Sequence, residues 1–558
     1  MASSIMRFRF SHSIILIPVV FLSFFFIYPL ASILVRSLEG NTDFVFVPFR
    51  TLFVDSYYLG RIWFTIWQAT ISTIMSVVVA LPIAYFFARC DFPGKTFLKA
   101  LCTLPFVMPT IVVAMGFLSL FGAQGLINTL LMKIFELDKP PIMLSNTLAI
   151  IIIAHVFYNY AVVVRIVSSF WSNLDSQLED TAKILGGSRI QVLCRVTLPL
   201  ISPALISSSA LAFAFSFTSL GVVLVLGGPQ FATLEVSIYE LTTKLFRLPL
   251  AAALSVVQLG FTYLVLFVYT RYEKRASRQL GLQSRGERLH SSGRPVRGIF
   301  IVAMLVYIFC LLSPLGALVF RFFAETREYL PSLFIGLFSD QAGSYFYLSP
   351  IIVIWNSVKF ALCTVIISTI VGVIIAYRLS NSKGSISGIF DSLFMMPLGM
   401  SAVTLGYGYL ISFNRDPFDL RGSWIILVIA HSIVAYPFVV RSVLPVINSM
   451  DKSLKDAAKL LGASQSRIFL SVELPIILPA ILVGATFAFA VSMGEFGSSL
   501  MLLRPENATI PIAIFKFLGL PGEVNVGRAL AMSGLLMIIV SLSFMAIEKF
   551  RYKGSGGF

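Results

Sequence analysis

Long apolar runs alternate with short polar stretches along the whole chain. Runs near 13–36, 63–88, 98–122, 144–170, 198–226, 250–270, 298–322, 353–377, 389–413, 423–446, 474–502 and 527–546 each have the length that carries a helix across a hydrocarbon core. The pattern predicts an all-α, polytopic membrane protein with about 12 transmembrane helices. Composition supports it: 57% of the residues are apolar and only 12% charged, too few to solvate such a chain in water. The first run, from about Ser13 to Val35, exceeds the ~7–15 residue core of a signal peptide and is expected to be a retained span.

The formal charge of +16 raises nucleic acid as a partner, but its distribution points to a membrane. Arg7 and Arg9 precede the first run, Arg89, Lys95 and Lys99 follow the second, and Lys183, Arg189 and Arg195 follow the fourth. Eight arginines and lysines lie between Arg271 and Arg297, and Lys549, Arg551 and Lys553 close the chain. If the runs alternate in direction, all of these fall on one side. The positive-inside bias makes that side the cytoplasm and puts both termini there, in a multi-pass protein of the cell (inner) membrane. No soluble domain is left to carry a nucleic-acid face, so lipid is the expected partner of this charge.

The chain repeats itself. Ala154–Gly221 aligns without a gap on Ala430–Gly497, every pair 276 residues apart, and about two residues in five are identical. His155 and His431, Tyr160 and Tyr436, Arg165 and Arg441, and Pro203 and Pro479 are among the matches. About six spans per half, an even number, give a parallel repeat about an axis along the membrane normal, hence two homologous six-helix halves. Between them, Glu273–Arg297 is rich in Arg, Ser and Gly, lacks apolar periodicity and reads as a cytoplasmic linker.

The strongest echo is polar. Asp180-Thr181-Ala182-Lys183-Ile184-Leu185-Gly186 returns as Asp456-Ala457-Ala458-Lys459-Leu460-Leu461-Gly462, and each copy is followed by Leu-Pro at Leu198-Pro199 and Leu474-Pro475. Leu178, Ala182 and Leu185 share one face of a short helix, Asp180 and Lys183 pair on another, and Gly186 stops it. Pro is tolerated in a first turn, so Leu-Pro is expected to restart a helix about a dozen residues on. A capped connector between membrane helices would also look like this, but two copies in one register favour a shared task.

This pattern resembles the "EAA" loop of binding-protein-dependent ABC importer permeases of type I. In that family the loop forms a coupling helix that docks on an ATP-hydrolysing subunit. The resemblance implies docking roles for Asp180, Thr181, Ala182 and Gly186 and for Asp456, Ala457, Ala458 and Gly462. Both copies carry Asp where the family usually has Glu, and Thr181 stands where Ala is usual. It further implies ATP-binding subunits, two copies, and an extracytoplasmic solute-binding protein as partners. The chain then divides into a first helix and outer loop (1–62), a type-1 transmembrane domain (63–272), the linker (273–297), a helix and outer loop (298–352) and a second type-1 domain (353–548).

Enzyme chemistry finds little support. Gly94-Lys95-Thr96 ends like a P-loop, but Arg89 stands where the first glycine belongs, so nucleotide falls to a separate subunit. There is no HExxH, no GxSxG and no paired carboxylates, and Cys90, Cys102, Cys194, Cys310 and Cys363 make no metal or disulfide spacing. No catalytic residue, cofactor or metal is therefore assigned. Glu495, almost alone as an intramembrane acid and flanked by Gly494 and Gly497, is the leading pathway candidate. Its counterpart is Ser219, and Asn159, Tyr160 and Tyr436 are weaker candidates. His155 and His431 are expected in helix–helix contacts.

Fused double permeases of this length resemble those for thiamine and for ferric iron. The stretch Leu226–Tyr239 is more similar to the thiamine branch, and Gly494-Glu495-Phe496-Gly497 is also similar to oxyanion permeases. An ion-coupled secondary carrier with two six-span repeats is the rival class, and it would need several intramembrane acids.

Overall fold

The computed structural model describes residues 16–39, 46–174, 177–280, 294–338, 349–381, 394–414 and 419–554. Arg7, Arg9 and residues 281–293 of the expected linker lie outside the described residues. Among the described residues the chain is helical, without strands, and 11 helices are long and apolar enough to cross a membrane.

The expected run at 389–413 accounts for the difference. Its described part is a 3-10 turn, Met396–Gly399, followed by the short apolar helix Ala402–Ser412. The run at 98–122 is broken at the corresponding place, into Lys95–Val107 and Thr110–Phe121. Pro109, which cannot donate and holds Met108 extended, marks the first break, and the second falls at extended Met400 and Ser401, just past the turn that contains Pro397.

Two compact units divide the chain: Arg50–Ser237 with Val257–Ala324, and Met1–Phe49 with Ile238–Val256 and Glu325–Phe558. In the unit of the first half, Ala80, Ile83, Ala84 and Phe86 pack with Tyr160, Val164 and Trp171, and Met304 and Ile308 from Ile301–Ala324 join them. The Tyr307 hydroxyl donates to the Val79 carbonyl at 3.0 Å. In the other unit Val371, Ile375, Tyr436 and Val439 form the core with Leu22 and Phe26. There the Tyr409 hydroxyl donates to Phe25 O at 2.7 Å. A Cβ on Gly484 would sit 2.8 Å from Val439 Cα, so glycine permits this close helix approach.

The helix beginning at Leu-Pro starts earlier than expected. In each half a single helical turn, Arg189–Val192 or Gln465–Ile468, leads into a π turn, Leu193–Thr197 or Phe469–Glu473. The long helices Leu198–Phe217 and Leu474–Gly494 continue from there. Pro199 and Pro475 have no N–H and their rings crowd the preceding turn. The wider π turn, closed by Leu198 N to Leu193 O and Leu474 N to Phe469 O, absorbs both defects.

Candidate functional site

The two polar islands fold as short helices, Gln177–Ile184 and Lys452–Leu460. Each ends in the same hydrogen-bonded cap. Gly186 N donates to Lys183 O at 2.9 Å and Gly187 N to Ala182 O at 3.0 Å. Gly462 N donates to Lys459 O and Ala463 N to Ala458 O at the same two distances, 2.9 and 3.0 Å. The stopping glycines have φ of 86° and 79°, left-handed backbone that costs a residue with a Cβ about 1–2 kcal/mol. Ser453 N donates to Asp451 at 2.9 Å, capping the second helix. Those hydrogen bonds, backbone first and then hydroxyl, hold the Asp451 carboxyl below the usual carboxylate range. The cap's contribution is therefore present above the ordinary carboxylate value and is lost as pH falls through the lowered one.

What the islands present is an apolar tip. Ile184 and Leu185 are 85% and 82% exposed, and Leu460 and Leu461 are 89% and 88% exposed. Ala182 and Ala458 are half-buried, whereas Asp180 and Asp456 pair with Lys183 and Lys459 at 2.8 and 2.9 Å. Thr181 donates its hydroxyl to Gln177 O at 2.7 Å, a bond Ala457 cannot make. Such exposed i, i+3 ion pairs are worth about 0.3–0.5 kcal/mol, so their part in holding the helix is small.

The islands' attachment to the membrane helices was not anticipated. Glu179 Oε1 accepts from the Arg89 guanidinium at 2.9 Å and from the Thr197 hydroxyl at 3.1 Å. In the second half Lys455 pairs with Glu473 at 2.7 Å, and the Tyr377 hydroxyl donates to Glu473 at 2.9 Å. Glu179 and Lys455 are 276 residues apart, as are Thr197 and Glu473. A change of charge within the aligned block was the available signal.

The pathway candidates do not share one environment. Glu495 is buried where Leu474–Gly494 ends, and its carboxylate accepts from Ser498 N at 3.0 Å and Ser498 Oγ at 3.2 Å. Among the described residues no Lys or Arg pairs with it. Ser219 is buried near the start of Gly221–Leu226. Asn159 donates to Ser216 Oγ at 2.8 Å. Tyr160 and Tyr436 are fully buried core residues, and Tyr436 donates to Phe394 O at 2.5 Å. Glu495 is also less solitary than expected, because Glu235 and Glu473 are buried too. Glu235 lies in Leu234–Thr243, outside any long apolar run, and accepts from Gln258 at 2.6 Å.

The two histidines join helices as expected. His431 contacts Ser492 Oγ at 2.8 Å and Ser499 Oγ at 2.9 Å, whereas His155 contacts Ser72 Oγ at 3.3 Å. The loops at Pro229 and Pro505 are pinned alike in both halves. Arg61 donates to Gln230 O at 2.8 Å and Ala232 O at 3.3 Å, and Asn356 to Glu506 O at 2.9 Å and Ala508 O at 3.3 Å. Thr65 Oγ1 accepts from Leu234 N at 3.0 Å and Ser357 Oγ from Ile510 N at 2.8 Å.

The sequence model of the binding-protein-dependent transport system inner membrane component matches residues 80–278 and again 368–550. A thiamine transport system permease protein of Brucella abortus is 27% identical over 83% of this chain and 83% of its own length. The corresponding protein of Escherichia coli is 24% identical over 89% of both. A molybdenum transport system permease protein of Escherichia coli is 30% identical, spanning 33% of this chain and 87% of that one.

Proposed function

The chain belongs to the binding-protein-dependent transport system inner membrane component family, and from that premise we propose that it is the fused permease of a type I ABC importer for a thiamine-like cation. It is a multi-pass membrane protein and a transport component, and ATP is hydrolysed on a partner subunit. A binding protein delivers the solute. Two ATPase copies, one for each island, and both termini in the cytoplasm complete the arrangement. Residues 63–272 and 353–548 are the two type-1 domains.

In this reading Asp180, Thr181, Ala182 and Gly186, and Asp456, Ala457, Ala458 and Gly462, build the coupling helices. The carrying observation is the pair of exposed aliphatic tips, Ile184-Leu185 and Leu460-Leu461, on helices that end in the same hydrogen-bonded cap. Four large aliphatic side chains held in water are what a partner groove would cover. Closure of the ATPases on ATP moves the docked helices and shifts the permease between inward- and outward-open states. Glu495, a buried carboxylate at a helix break, is the group that stabilises a cation in transit, with Ser219, Asn159, Tyr160 and Tyr436 in lesser roles.

The substrate assignment rests on the thiamine permeases that the chain resembles over most of its length. Ferric iron or another ion is the alternative cargo for the same machinery. The test is uptake of labelled thiamine into proteoliposomes holding the permease, its ATPase and its binding protein. Uptake requiring both ATP and the binding protein supports the proposal. Uptake driven by an ion gradient without the ATPase would overturn it in favour of a secondary carrier, for which buried Glu235 and Glu495 would then be the first suspects.

A further inference from the structure

We infer that Arg89–Glu179–Thr197 and Tyr377–Glu473–Lys455 are tethers of opposite polarity that make each coupling helix move as one body with the membrane helices of its own half. The inference rests on the docking role proposed above and adds the route by which displacement of the island reaches the bilayer. Each island helix is short, largely exposed and tipped with aliphatic side chains left mostly in the open. Without a fixed link, a pull on its tip would swing the connector rather than the spans.

The link is placed for that task. In the first half it gathers the C-terminal end of Ser56–Arg89, the first turn of the island and the π turn that opens Leu198–Phe217. Arg89 also donates to Leu174 O at 3.5 Å, just past the end of Leu148–Ser172. In the second half it gathers Pro350–Asn381, the island helix and the π turn that opens Leu474–Gly494. The side chains of both pairs are mostly shielded, 14% and 15% exposed for Arg89 and Glu179 and 27% and 11% for Lys455 and Glu473. Shielding keeps water from competing and makes a lost partner costly.

The sequence shows how polarity was reversed without losing the link. The carboxylate sits on the island in the first half and on the following helix in the second. The helix before the repeated block matches at a spacing of 292, which pairs Tyr85 with Tyr377 and Arg89 with Asn381. Three positions thus change together, Arg89/Asn381, Glu179/Lys455 and Thr197/Glu473, and each half keeps one shielded ion pair. An incidental surface contact would not need compensation at all three.

The test uses the full chain assembled with its ATPase and binding protein, in a background with the native cysteines replaced. Spin labels go on Leu178→Cys with Ser202→Cys, and on the matched Leu454→Cys with Leu478→Cys, away from the docking tips, with and without ATP and vanadate. In the parent protein each distance distribution stays narrow in both states. Glu179→Lys broadens the first pair, leaves the second unchanged and lowers solute uptake about tenfold while ATP hydrolysis continues. The triple variant Arg89→Asn, Glu179→Lys, Thr197→Glu, which installs the second half's link in the first, restores both the distance and the uptake. If Glu179→Lys fails to assemble, the isosteric Glu179→Gln carries the same expectation. Narrow distributions and full uptake in the single variant, or an assembled triple variant that restores neither, overturn the tether. An ATPase that fails to co-purify with the parent protein refutes the docking role instead.

Discussion

The two halves hold the loops at Pro229 and Pro505 with the same chemistry and their polar islands with inverted chemistry. Thr65 and Ser357 both present an acceptor to a backbone N–H, and Arg61 and Asn356 both present donors to backbone carbonyls. The island links use Glu179 with Arg89 in one half and Lys455 with Glu473 in the other. The difference has a simple cause. A backbone group cannot change from donor to acceptor, so a side chain that serves it has its role fixed. Two side chains that serve each other need only remain complementary, so a duplicated chain can exchange their charges and keep the joint.

The largest effect is expected at the tips, where the halves are alike. Leu185→Asp and Leu461→Asp each place a charge in the proposed groove and are expected to reduce ATPase retention on pull-down by an order of magnitude or more. Next comes a site where the halves differ. Glu495→Gln is expected to lower uptake about tenfold, and Ser219→Ala to leave it within about twofold, in the proteoliposome assay. The loop anchors should then behave as equals. Thr65→Val and Ser357→Ala each leave a buried amide unpaired, at Leu234 and Ile510, for a loss of about 1–3 kcal/mol in chemical denaturation. Smallest is the histidine pair. His431→Ala removes contacts to two serines and is expected to cost about 1–2 kcal/mol, and His155→Ala, with one longer contact, less than about 1 kcal/mol.

Much of this was legible in the residues because it depends on local pattern. Apolar run length located most of the spans, and the fixed spacing of the repeat exposed the islands with their glycine stops. The misses arise where one residue type overrides a pattern. Pro109, behind an extended Met108, breaks a stretch that hydropathy reads as continuous. Pro199 and Pro475 extend the following helix backward through a π turn rather than beginning it. Glu235 escaped notice because its burial depends on tertiary packing beside Gln258, not on an apolar run around it. The tethers join residues from three separate stretches, and only the reversal of charge at Glu179 and Lys455 announced them.

The most direct test of the central claim is cross-linking at the island tips. Leu185→Cys and Leu461→Cys, each introduced alone with the native cysteines replaced, are treated with a short bifunctional thiol reagent in membranes that contain the ATPase. The account predicts that both positions cross-link to the ATPase and that a membrane-impermeant thiol reagent added outside intact cells reaches neither. Labelling of both from the outside, with no cross-link to the ATPase, would contradict it.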